Sequence, residues 1–284
     1  MTMDKYPKLT KQQREQMDEE GHILIDDALE PFGLENVIQA WERIQAEDEP
    51  GWKQAVADGT VSGGYGNGPN AHTMSKVSQR DKIFFDIGSN SIMRPLLEDL
   101  LGVDVQCAGV TNHSHHAGAA AHTTWHRDWS PWTHPTWIIK AKIFYFLDDQ
   151  DEDMGCFSIV PGTHTLPDGP DREAYSGENL EQMPGMKKIT GKAGSAILWN
   201  VLMYHTGTAN TSNKDRRIII TSYVPFWMKT WGADRPPQNI IGWTDTPDLR
   251  QFWGIHAVQG RASYDRTDVP YLPEHEAITK AKKF

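Results

Sequence analysis

The patterning of the chain changes at Gly102, and that change constrains the fold more than any other feature. Before it, apolar residues recur at helical spacing. Leu34, Val37, Ile38, Trp41 and Ile44 fall on one face of a helix. Thr10 followed by Gln13 is a capping-box pattern that predicts a helix through about Glu20, with Gly21 as its terminator. His22 to Ile25 then reads as a short strand, and Ser91 and Gly102 bracket a further helix. After Gly102 the chain breaks into short β-rich runs at 103–110, 137–147, 155–160, 195–199 and 218–224, separated by turn residues. Helices first and strands later predict an α+β, mainly β chain whose second half closes into a sandwich or barrel. The Gly-rich stretch 63–69 has no periodicity and reads as loop. Residues 227–284, rich in Pro, Trp and charge, read as an extension that wraps the core, covers a pocket or joins a partner subunit.

Composition excludes several classes. A chain of 284 residues can bury a full core as one domain without staples. Two cysteines, Cys107 and Cys156, make neither a disulfide framework nor a Cys-rich zinc site, so the expected compartment is reducing and cytoplasmic. No run of about 18 apolar residues exists to span a membrane. The net charge of −10 argues against nucleic-acid binding, while leaving room for a local basic pocket around an anionic ligand.

The chemistry is concentrated in Thr123-Thr124-Trp125-His126-Arg127-Asp128-Trp129. His126 and Asp128 are two apart, so in extended chain they share a face and can bind one metal ion from one side. A second histidine would make a set of two imidazoles and one carboxylate, the facial arrangement of non-heme Fe(II) oxygenases. His205 lies 79 residues further on, between two β-runs. Eleven residues later come Arg216 and Arg217 at the start of an apolar strand. On a strand one of two neighbouring arginines faces inward and the other outward. The inward one suits a bidentate carboxylate ligand.

These pieces resemble the phytanoyl-CoA dioxygenase family of Fe(II)/2-oxoglutarate oxygenases. The matching segments are Leu9-Thr10 with Glu20-Gly21-His22-Ile23-Leu24, and His126-Arg127-Asp128. They continue with Phe146-Leu147-Asp148-Asp149 and Met154-Gly155-Cys156-Phe157, then Val160-Pro161-Gly162-Thr163-His164, then His205, Asn210 and Arg216. Their order covers residues 9 to about 225. The resemblance implies a double-stranded β-helix, or jelly roll, with Fe(II) held by His126, Asp128 and His205. It implies that Arg216 pairs with the far carboxylate of 2-oxoglutarate and that O₂ is the other co-substrate. Lys76 falls where some members place a lysine near the co-substrate, Phe144 where an aromatic lines the pocket, and Thr123 and Thr208 close enough to offer hydroxyls. An intact Asp128, in place of the small residue of halogenating relatives, implies hydroxylation or a related oxidation with release of succinate and CO₂.

Other residues receive plainer readings. Lys140 and Lys142 share a strand face with Phe144; either reads as able to reach an acidic substrate or both as solvated at an edge, with the solvated reading preferred for Lys140. His113, His115 and His116 read as a loop or pocket entrance, and His164 as a structural turn residue. Trp125, Trp129, Trp132 and Trp137 divide between core and cavity wall. The expected substrate is a small or medium-sized metabolite, and a homodimer through the C-terminal extension is the expected assembly. A cupin-like enzyme without 2-oxoglutarate and a non-catalytic jelly-roll module are the alternatives that experiment must separate.

Overall fold

A computed structural model describes residues 8–61, 68–128, 138–228, 230, 236–255, 257–258 and 261–262. The N-terminal half carries helices α1 (Lys11–Glu20), α2 (Leu34–Ala57), α3 (Lys82–Gly88) and α4 (Arg94–Leu101), with strands β1 (His22–Ile25) and β2 (Ala71–Met74) between them. The strands β3 (Gln106–His115), β4 (Ala141–Phe146), β5 (Phe157–Ile159), β6 (Lys187–Lys188), β7 (Ala196–Asn200), β8 (His205–Gly207) and β9 (Arg216–Val224) follow. Helices α5 (Gln238–Trp243) and α6 (Pro247–Phe252) come after β9. The large sheet runs β1-β7-β4-β9-β3-β2, and a small sheet runs β6-β5-β8, with every pairing antiparallel. Two facing antiparallel sheets make the jelly roll that the family resemblance implies.

Strand alternation divides the large sheet into two working faces. Phe144 sits opposite Ile220 and Ile197. With Phe146, Ile218 and Trp199 these residues face the small sheet, where Phe157 and Ile159 complete an apolar layer. The intervening Ile143, Tyr145, Leu147, Ile219 and Tyr223 face the other way, into the helical layer with Trp41, Ile44, Phe84 and Leu97. The period of two thus sends every second residue to the helices and the rest to the space between the sheets. Tyr223 closes the outer face by donating its hydroxyl to the Gly88 carbonyl at 3.0 Å.

The local signals mostly act as expected. Thr10 accepts from the Gln13 N–H and Gln13 accepts from the Thr10 N–H, a complete capping box. Gly21 ends α1 at φ +83°. Three elements differ from expectation. Helix α2 continues beyond Ile44, the last residue of its predicted apolar face, through Pro50 to Ala57. Pro50 removes a single N–H donor, and Trp52 anchors the last turns by stacking on His72 at 5.1 Å and packing near His116 at 5.0 Å. Helix α4 starts at Arg94, not Ser91, because Pro95 occupies its first turn and Asn90 Oδ1 accepts the Ile92 N–H in a preceding turn. The short α3 was not anticipated, although Asp81 caps it by accepting from the Ile83 N–H at 2.9 Å.

Within the C-terminal extension, residues 236–255 cover the core on its helical side. Ile240, Phe252 and Trp253 are buried there. Trp253 Nε1 donates to Ser89 Oγ at 2.8 Å, and its ring lies where a Gly88 Cβ would stand. The loop expected at 63–69 falls largely outside the described residues, as do Trp129, Trp132 and Trp137.

Gly21 joins α1 to β1 and leaves space for a neighbour. A Cβ there would stand 2.6 Å from His164 Nδ1, in addition to the strain of a left-handed backbone. Gly21→Ala is therefore expected to lower stability by roughly 1–3 kcal/mol, read as a drop in the urea midpoint. An unchanged midpoint would show that the α1–β1 corner tolerates a side chain.

Candidate active site

The histidines are placed by backbone pairing before their side chains are considered. His126 N–H donates to the His205 carbonyl at 3.1 Å, and His205 N–H returns the bond to His126 at 3.0 Å. A reciprocal antiparallel pair sets two side chains on one face at short range, and the ring centroids lie 4.2 Å apart. Two residues on, Asp128 N–H donates to the Val201 carbonyl at 3.1 Å. This bond turns the Asp128 carboxylate back to the same face. Oδ1 lies 3.6 Å from His126 Nε2 and 3.7 Å from His205 Nε2.

The remaining ring nitrogens select the tautomer. His126 Nδ1 lies 2.6 Å from the Thr124 carbonyl, and His205 Nδ1 lies 2.9 Å from the Met203 carbonyl. A carbonyl only accepts, so each Nδ1 carries a hydrogen and each Nε2 is the ring nitrogen that faces Asp128. Burial pushes the His205 imidazole down to about 3 despite Asp128 beside it, which keeps it neutral. For Asp128 burial acts to raise the carboxyl, but His205, His126 and Lys142 together outweigh it and hold the group well below the usual carboxylate range. Lys142 Nζ stands 2.5 Å from Oδ2, so the outer oxygen is ion-paired while Oδ1 faces the histidines. Two imidazoles and one carboxylate, with donor atoms all within 4.8 Å of one another, make a donor set that could hold a divalent transition metal.

The adjacent arginines take opposite faces. Arg217 points outward, where its Nη2 meets Asp148 at 2.6 Å and its Nη1 meets Glu42 at 2.9 Å, over the Trp41 ring. Arg216 points inward and is 3% exposed. It forms no salt bridge among the described residues, and its buried Nε has no hydrogen-bond partner. Burial lowers its guanidinium to about 10, so it remains charged at neutral pH. An unpaired buried cation of this kind costs several kcal/mol unless an anion joins it.

One cavity of about 340 Å³ connects these groups. His126, Asp128, His205, Arg216, Phe144, Thr123, Lys140 and Lys142 all line it. Residues 17–218 match the phytanoyl-CoA dioxygenase (PhyH) family. The chain belongs to that family. Its enzymes are oxygenases that use Fe(II), 2-oxoglutarate and O₂. Over 156 residues the chain is 27% identical to L-proline trans-4-hydroxylase of Streptomyces griseoviridis, a match covering 45% of this chain and 58% of the length of that enzyme. The fold is also that of HygX from Streptomyces hygroscopicus, solved with nickel, 2-oxoglutarate and hygromycin B (TM-score 0.60, 15% identity, 78% of this chain and 90% of that one). Iron-bound EctD from S. alaskensis is equally similar (TM-score 0.60, 18% identity, 83% of this chain and 84% of that one).

The cavity does not gather every residue singled out in the sequence. Lys76 is exposed, and its left-handed backbone at φ +58° turns the chain after Ser75, which does line the cavity. Thr208 is fully buried but lies outside the lining. Thr123 contributes to the wall while its Oγ accepts the Gly207 N–H at 2.9 Å, tying the two walls together. Trp125 is core: it donates to the Leu180 carbonyl at 2.9 Å and packs with Val160 and Met183. His164, read as a turn residue, contacts the Asp18 carbonyl at 3.2 Å. Lys140, read as solvated, instead lines the cavity.

His113 and His115, read as a loop or pocket entrance, lie on β3. The register sets His115 opposite Arg216 and His113 opposite Ile218. His113 lines the cavity with Thr73, whose hydroxyl is 2.9 Å from its Nδ1, while its Nε2 is buried without a partner. His122, on the next extended segment, packs against both rings at 4.9 and 4.4 Å and also lines the cavity. The alternation His113-Ser114-His115 in a β-run was the available signal.

Burial, followed by Arg216, lowers His115 to about 4. An unfolded histidine takes up its proton near pH 6.5, so the unfolded state gains protons first as pH falls. In the metal-free protein this contribution lowers stability from about pH 6.5 to about pH 4, by at most ~1.4 kcal/mol per pH unit. His115→Gln should make the fall in urea midpoint between pH 7 and pH 5 shallower. An identical slope in both proteins would show that His115 does not stay neutral in the fold.

Proposed function

We propose that the protein is a non-heme Fe(II)/2-oxoglutarate-dependent dioxygenase that hydroxylates an aliphatic C–H bond of a small or medium-sized metabolite. The observation that carries this reading is the sharing of one cavity by the His126-Asp128-His205 donor set and the unpaired buried Arg216. A metal triad alone would fit many enzymes, and a buried arginine alone would fit many anions. Together they suit a metal that works with a dicarboxylate co-substrate. The absence of an acidic partner for Arg216 among the described residues favours this reading over a metal site that does not use 2-oxoglutarate.

In this reading His126 Nε2, Asp128 Oδ1 and His205 Nε2 would hold the iron. Bound iron with 2-oxoglutarate activates O₂ and supplies the oxidant for the C–H bond, with loss of succinate and CO₂. The protein's own part is positional and electrostatic. The Thr124 and Met203 carbonyls hold the two rings, so the two Nε2 atoms need no reorganisation when metal arrives. Lys142 pairs with Asp128 Oδ2 and leaves Oδ1 as the oxygen that faces the two histidines. Arg216 receives the far carboxylate of 2-oxoglutarate in a low-dielectric setting where a paired, bidentate contact is strong. Phe144, Ile218 and Ile220 wall the space between Arg216 and the metal ligands with apolar surface and limit water there.

Succinate release from 2-oxoglutarate is expected to require Fe(II) and to vanish in His126→Ala and Asp128→Ala. Arg216→Met is expected to raise the half-saturating 2-oxoglutarate concentration by about 100-fold, the scale of one lost charge-assisted bidentate contact. Arg217→Met should leave that concentration unchanged and lower the unfolding temperature instead. Wild-type 2-oxoglutarate affinity in Arg216→Met would overturn the assignment of the co-substrate.

A further inference from the structure

His126 and Asp128 turn toward the cavity. In extended chain the residue between them, Arg127, is sent to the opposite side. There its guanidinium reaches the short turn Thr163–Thr165 and the residues just after it. Nη2 donates to the Thr163 and Leu166 carbonyls, both at 2.7 Å, and Nη1 donates to the Pro167 carbonyl at 3.3 Å. Hydrogen bonds from a charged donor are stronger than neutral ones. Arg127 Cζ also stands 4.7 Å from the centre of the Tyr204 ring.

The same turn holds the other ligand-bearing segment. Thr163 Oγ accepts the Tyr204 N–H at 2.9 Å and donates to the Val160 carbonyl at 2.6 Å. Val160 N–H donates in turn to the Tyr204 carbonyl at 2.9 Å. Tyr204 immediately precedes His205. One turn is thus bonded both to the residue between His126 and Asp128 and to the residue before His205. Near the cavity these two segments are joined by the reciprocal His126–His205 backbone pair. The candidate donor set is therefore braced from both sides.

We propose that Arg127 is a positioning residue for the metal site. Its guanidinium clamps residues 126–128 to the turn that also holds His205, and so fixes the separation of the three donor groups. Arg127 does not itself line the cavity. The planar fork is what this position uses, since Nη1 and Nη2 reach three carbonyls at once. A lysine would keep the charge but offers a single compact ammonium. Charge alone would act in the opposite direction. A cation next in sequence to two metal ligands repels an arriving metal ion, so its removal by itself would tighten metal binding. A clamp predicts weaker binding when it is removed. The inference rests on the reading of His126, Asp128 and His205 as metal ligands and adds to it the residue that sets their spacing.

Co(II) is the probe, titrated anaerobically into the metal-free protein and followed by its visible absorption. Arg127→Met is expected to raise the Co(II) dissociation constant roughly 10–100-fold, the scale of a lost supporting partner at a metal site, and to shift the absorption bands. Arg127→Lys should stay weakened. Urea unfolding of the metal-free proteins is measured alongside. A merely structural role would lower the midpoint and leave Co(II) affinity and band positions of the folded protein unchanged. Thr163→Val breaks the Tyr204 bond of the same turn and leaves Arg127 in place. It should weaken Co(II) binding in the same direction, and it carries the test if Arg127→Met does not fold. The inference is overturned if Arg127→Met binds Co(II) as tightly as wild type or more tightly, if Arg127→Lys matches wild type, or if Thr163→Val does. Failure of the underlying reading looks different, since His126→Ala would then bind Co(II) as tightly as wild type.

Discussion

Two backbone hydrogen bonds between His126 and His205 organise the site. Because each residue both donates to and accepts from the other, the two imidazoles cannot drift apart without breaking a sheet contact. The bridge joins the segment that also carries Asp128 to β8, so the three donor groups converge without any long side chain having to be ordered. The tautomers follow from the same backbone, through the Thr124 and Met203 carbonyls. The convergent ring nitrogens are therefore a property of chain pairing, and the side chains add little flexibility of their own.

A site of this kind is costly to the fold. Arg216, His113 and His205 are all at most 5% exposed, and buried polar atoms on the first two lack partners within the protein. Each such group opposes folding by about 1–3 kcal/mol, and more where it is charged, against a total stability of only about 5–15 kcal/mol. The offset lies on the far side of the large sheet. There Trp41, Phe84, Phe85, Tyr145, Tyr223, Phe252 and Trp253 form one extended apolar layer under the same strands. The period of two thus lets one strand stabilise the fold with its odd residues and place reactive groups with its even ones. Arg217 and Arg216 are the clearest instance: the first is neutralised by Asp148 and Glu42 on the helical face, the second faces the cavity with no acidic partner among the described residues.

Much of this was legible in the residues. The capping box at Thr10, the left-handed Gly21 and the β-runs after Gly102 act locally, so their signals survive without tertiary context. The His126-Asp128 spacing was informative for the same reason. What escaped was decided at a distance. Helix α2 outlasts Pro50 because Trp52 finds His72 and His116, which no local pattern around Gly51 predicts. Trp125 stands beside the metal ligands in sequence yet belongs to a separate core patch. Lys76 was attractive by position, but it is exposed and lies outside the described cavity lining.

By itself the sequence determined the fold class, the family and which side chains make up the candidate donor set, because these depend on residue type, order and short-range spacing. Only the tertiary structure decided which of Arg216 and Arg217 enters the cavity, since the face of a strand is set by its register against β3 and β4. The same register turned Lys140 from a solvated edge into a wall of the cavity, and set His113, read as a loop or pocket entrance, on a strand that lines it. It also decided what stands beside Asp128. The spacing brings His126, and pairing with β8 brings His205. The alternation of β4 brings Lys142, because an ion pair between residues 14 positions apart is visible only once the strands have met.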